Sequence, residues 1–141
     1  MLNREGDNMN AIEKNAFELM RNRQTEALIN FFKDRQFDLN VVDEYNNTLL
    51  IWAVVNKDKK VVDFLLEKGA DPNIQNYDKM TALHYAVQMG RTEIAKSLLK
   101  NGADKEIKNK DGKTPMQCAN KSLIGEFVKV FVEIELEECE K

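Results

Sequence analysis

Few side chains in this sequence could do chemistry. His84 is the single histidine, and Cys118 and Cys139 are the two thiols. An imidazole near its ordinary pKa can move protons or bind a metal. Zinc, however, needs three or four nitrogen or sulfur ligands, and neither cysteine has a His or Cys partner at ligand spacing. No serine or cysteine stands beside a base that would activate it as a nucleophile. Gly102 and Gly112 are isolated turn glycines and not a phosphate-cradling loop. The expectation is a protein without catalytic residues, metal or cofactor, and therefore not an enzyme. Two cysteines are too few for a disulfide framework and read as ordinary thiols in a reducing compartment.

The composition agrees with a folded, water-soluble domain. Of 141 residues, 43% are hydrophobic and 32% charged, and the net charge is −3. That charge provides no positive field for nucleic acid or an anionic membrane surface, so neither is expected as a partner. The start, Met1 to Asn8, is polar and lacks the apolar centre of a signal peptide. The apolar run Leu49-Leu50-Ile51-Trp52-Ala53-Val54-Val55 is far too short to span a bilayer. A cytoplasmic protein is expected, or one exported without a cleavable signal.

The elements that position these residues repeat. Thr48, Thr81 and Thr114 are 33 apart (81 − 48, 114 − 81), as are Ala53, Ala86 and Ala119, and Leu50, Leu83 and Met116. Gly69-Ala70-Asp71 returns as Gly102-Ala103-Asp104, and Leu65-Leu66 as Leu98-Leu99. With its core Thr81-Ala82-Leu83-His84-Tyr85-Ala86, followed by Gly90 and by Leu98 to Asp104, the sequence resembles the ankyrin-repeat family. The resemblance covers roughly residues 12 to 135. It implies an all-α solenoid of antiparallel helix pairs with projecting β-hairpin-like loops.

The expected organisation is a polar tail over 1–11, one domain over 12–136 and an acidic tail over 137–141, with repeats at about 12–42, 43–75, 76–108 and 109–136. The outer repeats are degenerate. In the first, Phe17 and Met20 align with Leu50 and Ala53, and Phe31-Phe32 with Leu65-Leu66, which makes its inter-helix turn one residue shorter and the next loop one longer. Thr81 is a good N-cap, Pro115 suits a first helical position, and Gly90 and Gly102 suit left-handed helix ends. Lys57 replaces the turn glycine at a cost of roughly 1 kcal/mol. Polar Arg21, Arg23, Gln24 and Glu26 cap the front; Lys121, Lys129, Glu133 and Glu135 do so at the back. Phe127, Val130, Phe131 and Ile134 have helical spacing, while Val130, Val132, Ile134 and Leu136 alternate like a strand. The repeat period favours the helix.

The resemblance further implies that His84 ties repeats together through the backbone and that the domain binds another protein or peptide. The implied contact positions lie at the loop tips and on the first helices: Glu44, Tyr45 and Asn47; Tyr77, Asp78 and Met80; Lys110, Asp111 and Lys113; then Trp52, Val55, Asn56, Tyr85, Gln88 and Met89. Aromatic residues and methionine among them favour an interface over a merely solvated face, although Trp52 also suits a gap between repeats. Acidic tips at Asp43 and Glu44 and basic Lys108, Lys110 and Lys113 would orient a partner of opposite polarity. The acidic stretch from Glu133 to Glu140 reads as a solvated cap or a docking tail. A monomeric adaptor, inhibitor or scaffold is expected. The alternatives are an assembly factor or self-associating subunit, and a targeting subunit of a larger complex.

Overall fold

The computed structural model describes residues 10–140; most of the expected polar tail (residues 1–9) and Lys141 lie outside the described residues. The chain forms three helix pairs: α1 (Ala11–Arg21) with α2 (Thr25–Lys33), α3 (Leu49–Val55) with α4 (Lys59–Glu67), and α5 (Ala82–Gln88) with α6 (Thr92–Lys100). Two 3-10 turns, Met116–Cys118 and Lys121–Leu123, then lead into α7 (Ile124–Cys139). Among the described residues there is no strand, only an isolated bridge between Val42 and Thr48.

The pairs stack so that α1, α3, α5 and the first 3-10 turn form one row, and α2, α4, α6 and α7 a second. The six paired helices, 7 to 11 residues long, are too short to be stable alone, so packing between neighbours must supply the stability. Ala53 and Ala86 are completely buried, as are Leu65, Leu83 and Leu98. The alanines lack bulk where helices of adjacent pairs approach, and the leucines fill the space between the rows.

Local chemistry fixes the helix ends. The Thr48 and Thr81 hydroxyls accept from the amides of Ile51 and His84 at 3.0 and 3.4 Å. Asn10 starts α1 with a capping box to Glu13. The turns within the pairs pass through left-handed Arg23, Lys57 and Gly90, with φ of 57, 58 and 74°. Two of these three carry the strain that glycine avoids.

These turns correct the alignment of the first repeat. The amide of Gln24 donates to Leu19 O as Asp58 donates to Ala53 and Arg91 to Ala86. Leu19, not Met20, therefore matches Ala53, and the offset is 34 (53 − 19) throughout the first pair. Three residues separate the helices in every pair: 22–24, 56–58 and 89–91. The one extra residue sits wholly in the loop after α2, which runs 34–48 against 68–81 after α4. Hydrophobicity tolerates a one-residue slip because apolar side chains are adjacent at Ala16-Phe17 and Leu49-Leu50-Ile51; the turn hydrogen bonds do not.

At the rear, the first helix of the last repeat shrinks to Met116–Cys118, and Ala119 is extended at φ −67°, ψ 142°. The Asn120 side chain accepts from Ser122 N at 3.0 Å, a local bond that competes with continuing the helix. The final segment is helical and buries Phe127, Val130 and Ile134. It continues through Cys139, so Glu137 to Cys139 belong to α7 and not to a detached acidic tail; Glu137 lies 3.9 Å from Lys100.

Candidate interaction surface

Three loop tips project between the helix pairs, each organised by one short polar side chain. Asp43, Asn76 and Asn109 are 33 apart (76 − 43, 109 − 76). The Oδ1 of Asp43 accepts from the amides of Tyr45 and Asn47, both at 2.9 Å. Asn76 holds Asp78 and Met80 in the same way at 3.0 Å each, and Asn109 holds Asp111 and Lys113 at 2.9 and 3.1 Å. Each tip is closed by a backbone bond: Asp43 N to Asn47 O, Asn76 N to Met80 O and Asn109 N to Lys113 O.

The second polar atom of each organiser reaches nine residues ahead. Asp43 Oδ2 accepts from Trp52 Nε1 at 2.9 Å, whereas Asn76 Nδ2 donates to the Tyr85 hydroxyl at 2.8 Å and Asn109 Nδ2 approaches Cys118 Sγ at 3.6 Å. The carboxylate, which only accepts, faces the indole, which only donates; the amide donor faces a hydroxyl or a sulfur. Sequence reasoning missed this latch. Its signal is the Asp/Asn/Asn series moving in step with Trp/Tyr/Cys nine positions on. It also corrects the expected tip charge, because Asp43 is buried and its carboxylate is committed to Trp52 and two amides.

Neighbouring tips are joined. Tyr77 N donates to Tyr45 O at 3.2 Å and Lys110 N to Asp78 O at 3.0 Å. Asn76 Nδ2 also donates to Asn47 Oδ1, and Lys110 Nζ to Asp78 Oδ1. His84 makes a deeper connection. Thr81 N donates to its Nδ1 at 3.1 Å, so the proton lies on Nε2, which donates to Lys113 O at 2.9 Å. Burial pushes the imidazole pKa down, opposed by the Lys113 carbonyl. The ring is neutral and fully enclosed, and it clamps the third unit to the fourth.

The expected contact residues separate into three groups. Glu44, Tyr45, Tyr77, Asp78, Gln88, Met89, Lys110, Asp111 and Lys113 are exposed, with Tyr45 and Tyr77 at 63% and 71%. Asn47, Trp52, Val55, Asn56 and Tyr85 are half-buried. Trp52 lies beneath the Arg21 guanidinium, 5.6 Å from its ring centre, and fills a gap between the first two units. Asn56 is a strut, donating to Met20 O at 2.9 Å. Met80 is the correction: it is 8% exposed and turned into the stack, its sulfur 3.3 Å from Asn109 Nδ2. Its place beside exposed tip residues gives no hint of this inward turn.

Among the described residues no group of three or more His, Cys, Asp or Glu is placed to hold a metal, and no helix is long and apolar enough to cross a membrane. Both thiols are free, and burial raises the pKa of Cys118. The family model for ankyrin repeats (3 copies) matches residues 8–109 and again 71–140. No curated protein matches the chain. Among solved structures, the chain is similar to the ankyrin repeat domain of Bcl-3, described as a unique member of the IkappaB protein family, with 28% identity and a TM-score of 0.72. That match covers 81% of this chain and 50% of the other, so the chain spans half the length of that relative.

Proposed function

Because the chain belongs to the ankyrin-repeat family, whose members are in general protein-interaction modules, we propose that it is a non-catalytic adaptor, inhibitor or scaffold of the cytoplasm that binds a protein or peptide through its loop tips and the adjoining face of its first-helix row. The observation that carries this reading is the pair Tyr45 and Tyr77. Both rings are exposed, yet their backbones are bonded to each other and held by Asp43 and Asn76. Large aromatic side chains on a preorganised backbone lose little entropy on binding, which is why such residues dominate protein interfaces.

Around them, Glu44, Asp78, Gln88, Met89, Lys110, Asp111 and Lys113 provide a mixed polar rim. Trp52, Val55, Asn56 and Tyr85 support that rim from below more than they offer free surface. Asp78 and Lys110 already pair with one another, so the charge that would orient a partner is carried more by Lys108 and Lys113. The experiment is affinity capture with the wild type and with Tyr45→Ala/Tyr77→Ala, both verified as folded by circular dichroism. A protein retained by the wild type and lost by the variant supports the tip surface; equal retention by both sinks it.

A further inference from the structure

The loop after α2 departs from the repeat at one point. Gly69-Ala70 precedes Asp71 and Gly102-Ala103 precedes Asp104, whereas Arg35-Gln36-Phe37 precedes Asp38. In the second and third units the helix ends on a left-handed glycine, with φ of 92 and 93°, and the alanine amide donates to Leu65 O or Leu98 O at 3.0 Å. In the first unit no residue of that stretch is left-handed, and the Arg35 side chain takes over the bond. Its Nη1 donates to Phe31 O at 3.2 Å, and its guanidinium lies 4.3 Å from the centre of the Phe31 ring. The guanidinium is thereby anchored with most of its N–H groups still free.

A half-open groove of about 290 Å³ lies here, at the C-terminal ends of α2 and α4. Phe32, Phe37 and Leu39 are its apolar lining, the two rings 4.9 Å apart. Lys33, Arg35 and Lys68 line it too, all three exposed, with Lys68 Nζ 5.8 Å from the Phe64 ring. No acid lines it. Among the described residues none of these three cations pairs with a carboxylate, unlike Lys59, Lys60, Lys96 and Lys100. The acids closest in sequence are engaged elsewhere or stand outside the lining. Asp38 Oδ1 accepts from Asn40 N at 2.9 Å and Asp71 Oδ1 from Asn73 N at 2.8 Å, while Asp34 and Glu67 are exposed beyond the groove.

We propose that this groove docks an acidic segment of another protein. One large apolar side chain of that segment rests on Phe32, Phe37 and Leu39, and the carboxylates flanking it meet Arg35, Lys68 and Lys33. Three uncompensated positive charges select an anion, and the free fork of Arg35 matches a carboxylate. The aromatic floor favours an apolar group. An apolar residue between aspartates or glutamates meets both demands at once. A volume of about 290 Å³ is at the low end for small-molecule pockets, which also enclose most of their ligand. A half-open groove of that size suits one side chain of a segment lying across it.

The test is fluorescence anisotropy, with the full chain titrated into a fluorescein-labelled peptide that has one phenylalanine between two pairs of glutamates. The salt is held at about 0.1 M, where charges within about 10 Å still act on one another. Saturable binding with a Kd below about 1 mM is expected. Arg35→Ala and Lys68→Glu should each weaken it about tenfold or more. The Lys68 side chain makes no hydrogen bond among the described residues, so Lys68→Glu decides the matter if Arg35→Ala disturbs the end of α2. Glycine in place of the phenylalanine should cost about tenfold, and lysines in place of the glutamates should abolish binding. Tyr45→Ala/Tyr77→Ala should bind this peptide as the wild type does, which separates the groove from the loop tips. The proposal is overturned by an absence of saturable binding, by binding that survives Lys68→Glu, or by equal binding of the glycine peptide. Loss of binding in the tyrosine variant overturns it as well. Free phenylacetate competing as strongly as the peptide would make the occupant a small molecule. A mass above 16.3 kDa that Lys68→Glu abolishes would make it a second copy. Either result overturns the docking of a partner's segment.

Discussion

At the front of the stack, α1 and α2 turn Arg21, Arg23, Gln24 and Glu26 to solvent, and Ile12 is the exposed large apolar residue there. At the rear, α7 exposes four aliphatic side chains while sending its carboxylates sideways to Lys96, Lys100 and Lys105. Both ends bury one face against the same kind of core. They differ in what the opposite face presents: polar side chains at the front, aliphatic ones at the rear. An end unit is a cap only if its outer face is polar, and the helical pattern alone does not decide that.

The contrast between the two faces of α7 can be broken most directly. Phe127→Ala should cost about 3–5 kcal/mol in urea unfolding, as large-to-small changes in a packed core do. Its neighbour Val128→Ala, examined in dilute solution, should stay within about 0.5 kcal/mol. Comparable losses for both would mean that the outer face is packed within one chain. Nearer the front, Asp43→Asn sets an amide donor against the Trp52 N–H or against the two tip amides. A loss of about 1–3 kcal/mol is expected, with blue-shifted or broadened Trp52 fluorescence reporting the change.

The inter-helix turns offer a paired comparison of the two regions. Gly90→Ala forces a left-handed alanine and brings its Cβ to 3.0 Å from Leu123 Cδ1, so roughly 1–2 kcal/mol should be lost at the rear. Lys57→Gly relieves φ of 58° and should raise stability by up to about 1 kcal/mol. The smallest effect concerns pH. Burial depresses the folded pKa of His84, so the unfolded chain binds the proton more readily. Its contribution is complete above the ordinary histidine pKa of about 6.5 and declines as pH falls below that, until the folded pKa is passed. Comparing thermal midpoints from about pH 7.5 to 5.0 for the wild type and His84→Asn, the wild type should show the steeper fall below about pH 6.5. Hydrogen exchange should show the last unit loosening first, since His84 clamps it through Lys113 O.

Much of this was legible in the residues. Residue types at short spacing placed Thr81 as a cap and Gly90 and Gly102 as left-handed ends, because these roles depend on local backbone geometry, while the resemblance to ankyrin repeats implied His84 as a tie between units. The register of the first repeat was not. Two adjacent apolar residues satisfy a core equally well when shifted by one, and only the bond from Gln24 N to Leu19 O settles the matter. Met80 read as a surface residue because it stands in a polar loop tip, whereas its side chain is buried with its sulfur beside Asn109 of the next unit. Rear capping was judged from Lys129, Glu133 and Glu135 without knowing which neighbours would claim the acids.

The sequence by itself determined the repeat, the helix pairs and the caps, since each follows from residue type at a fixed short spacing. The tertiary structure decided how the units lock and what remains exposed. The Asp43–Trp52 and Asn76–Tyr85 latches, the seam between Tyr45 and Tyr77, the inward turn of Met80 and the bare ridge on α7 all depend on which side chains of other units stand nearby. Burial and hydrogen-bond pairing are properties of neighbours in space, and a one-dimensional pattern records only neighbours along the chain.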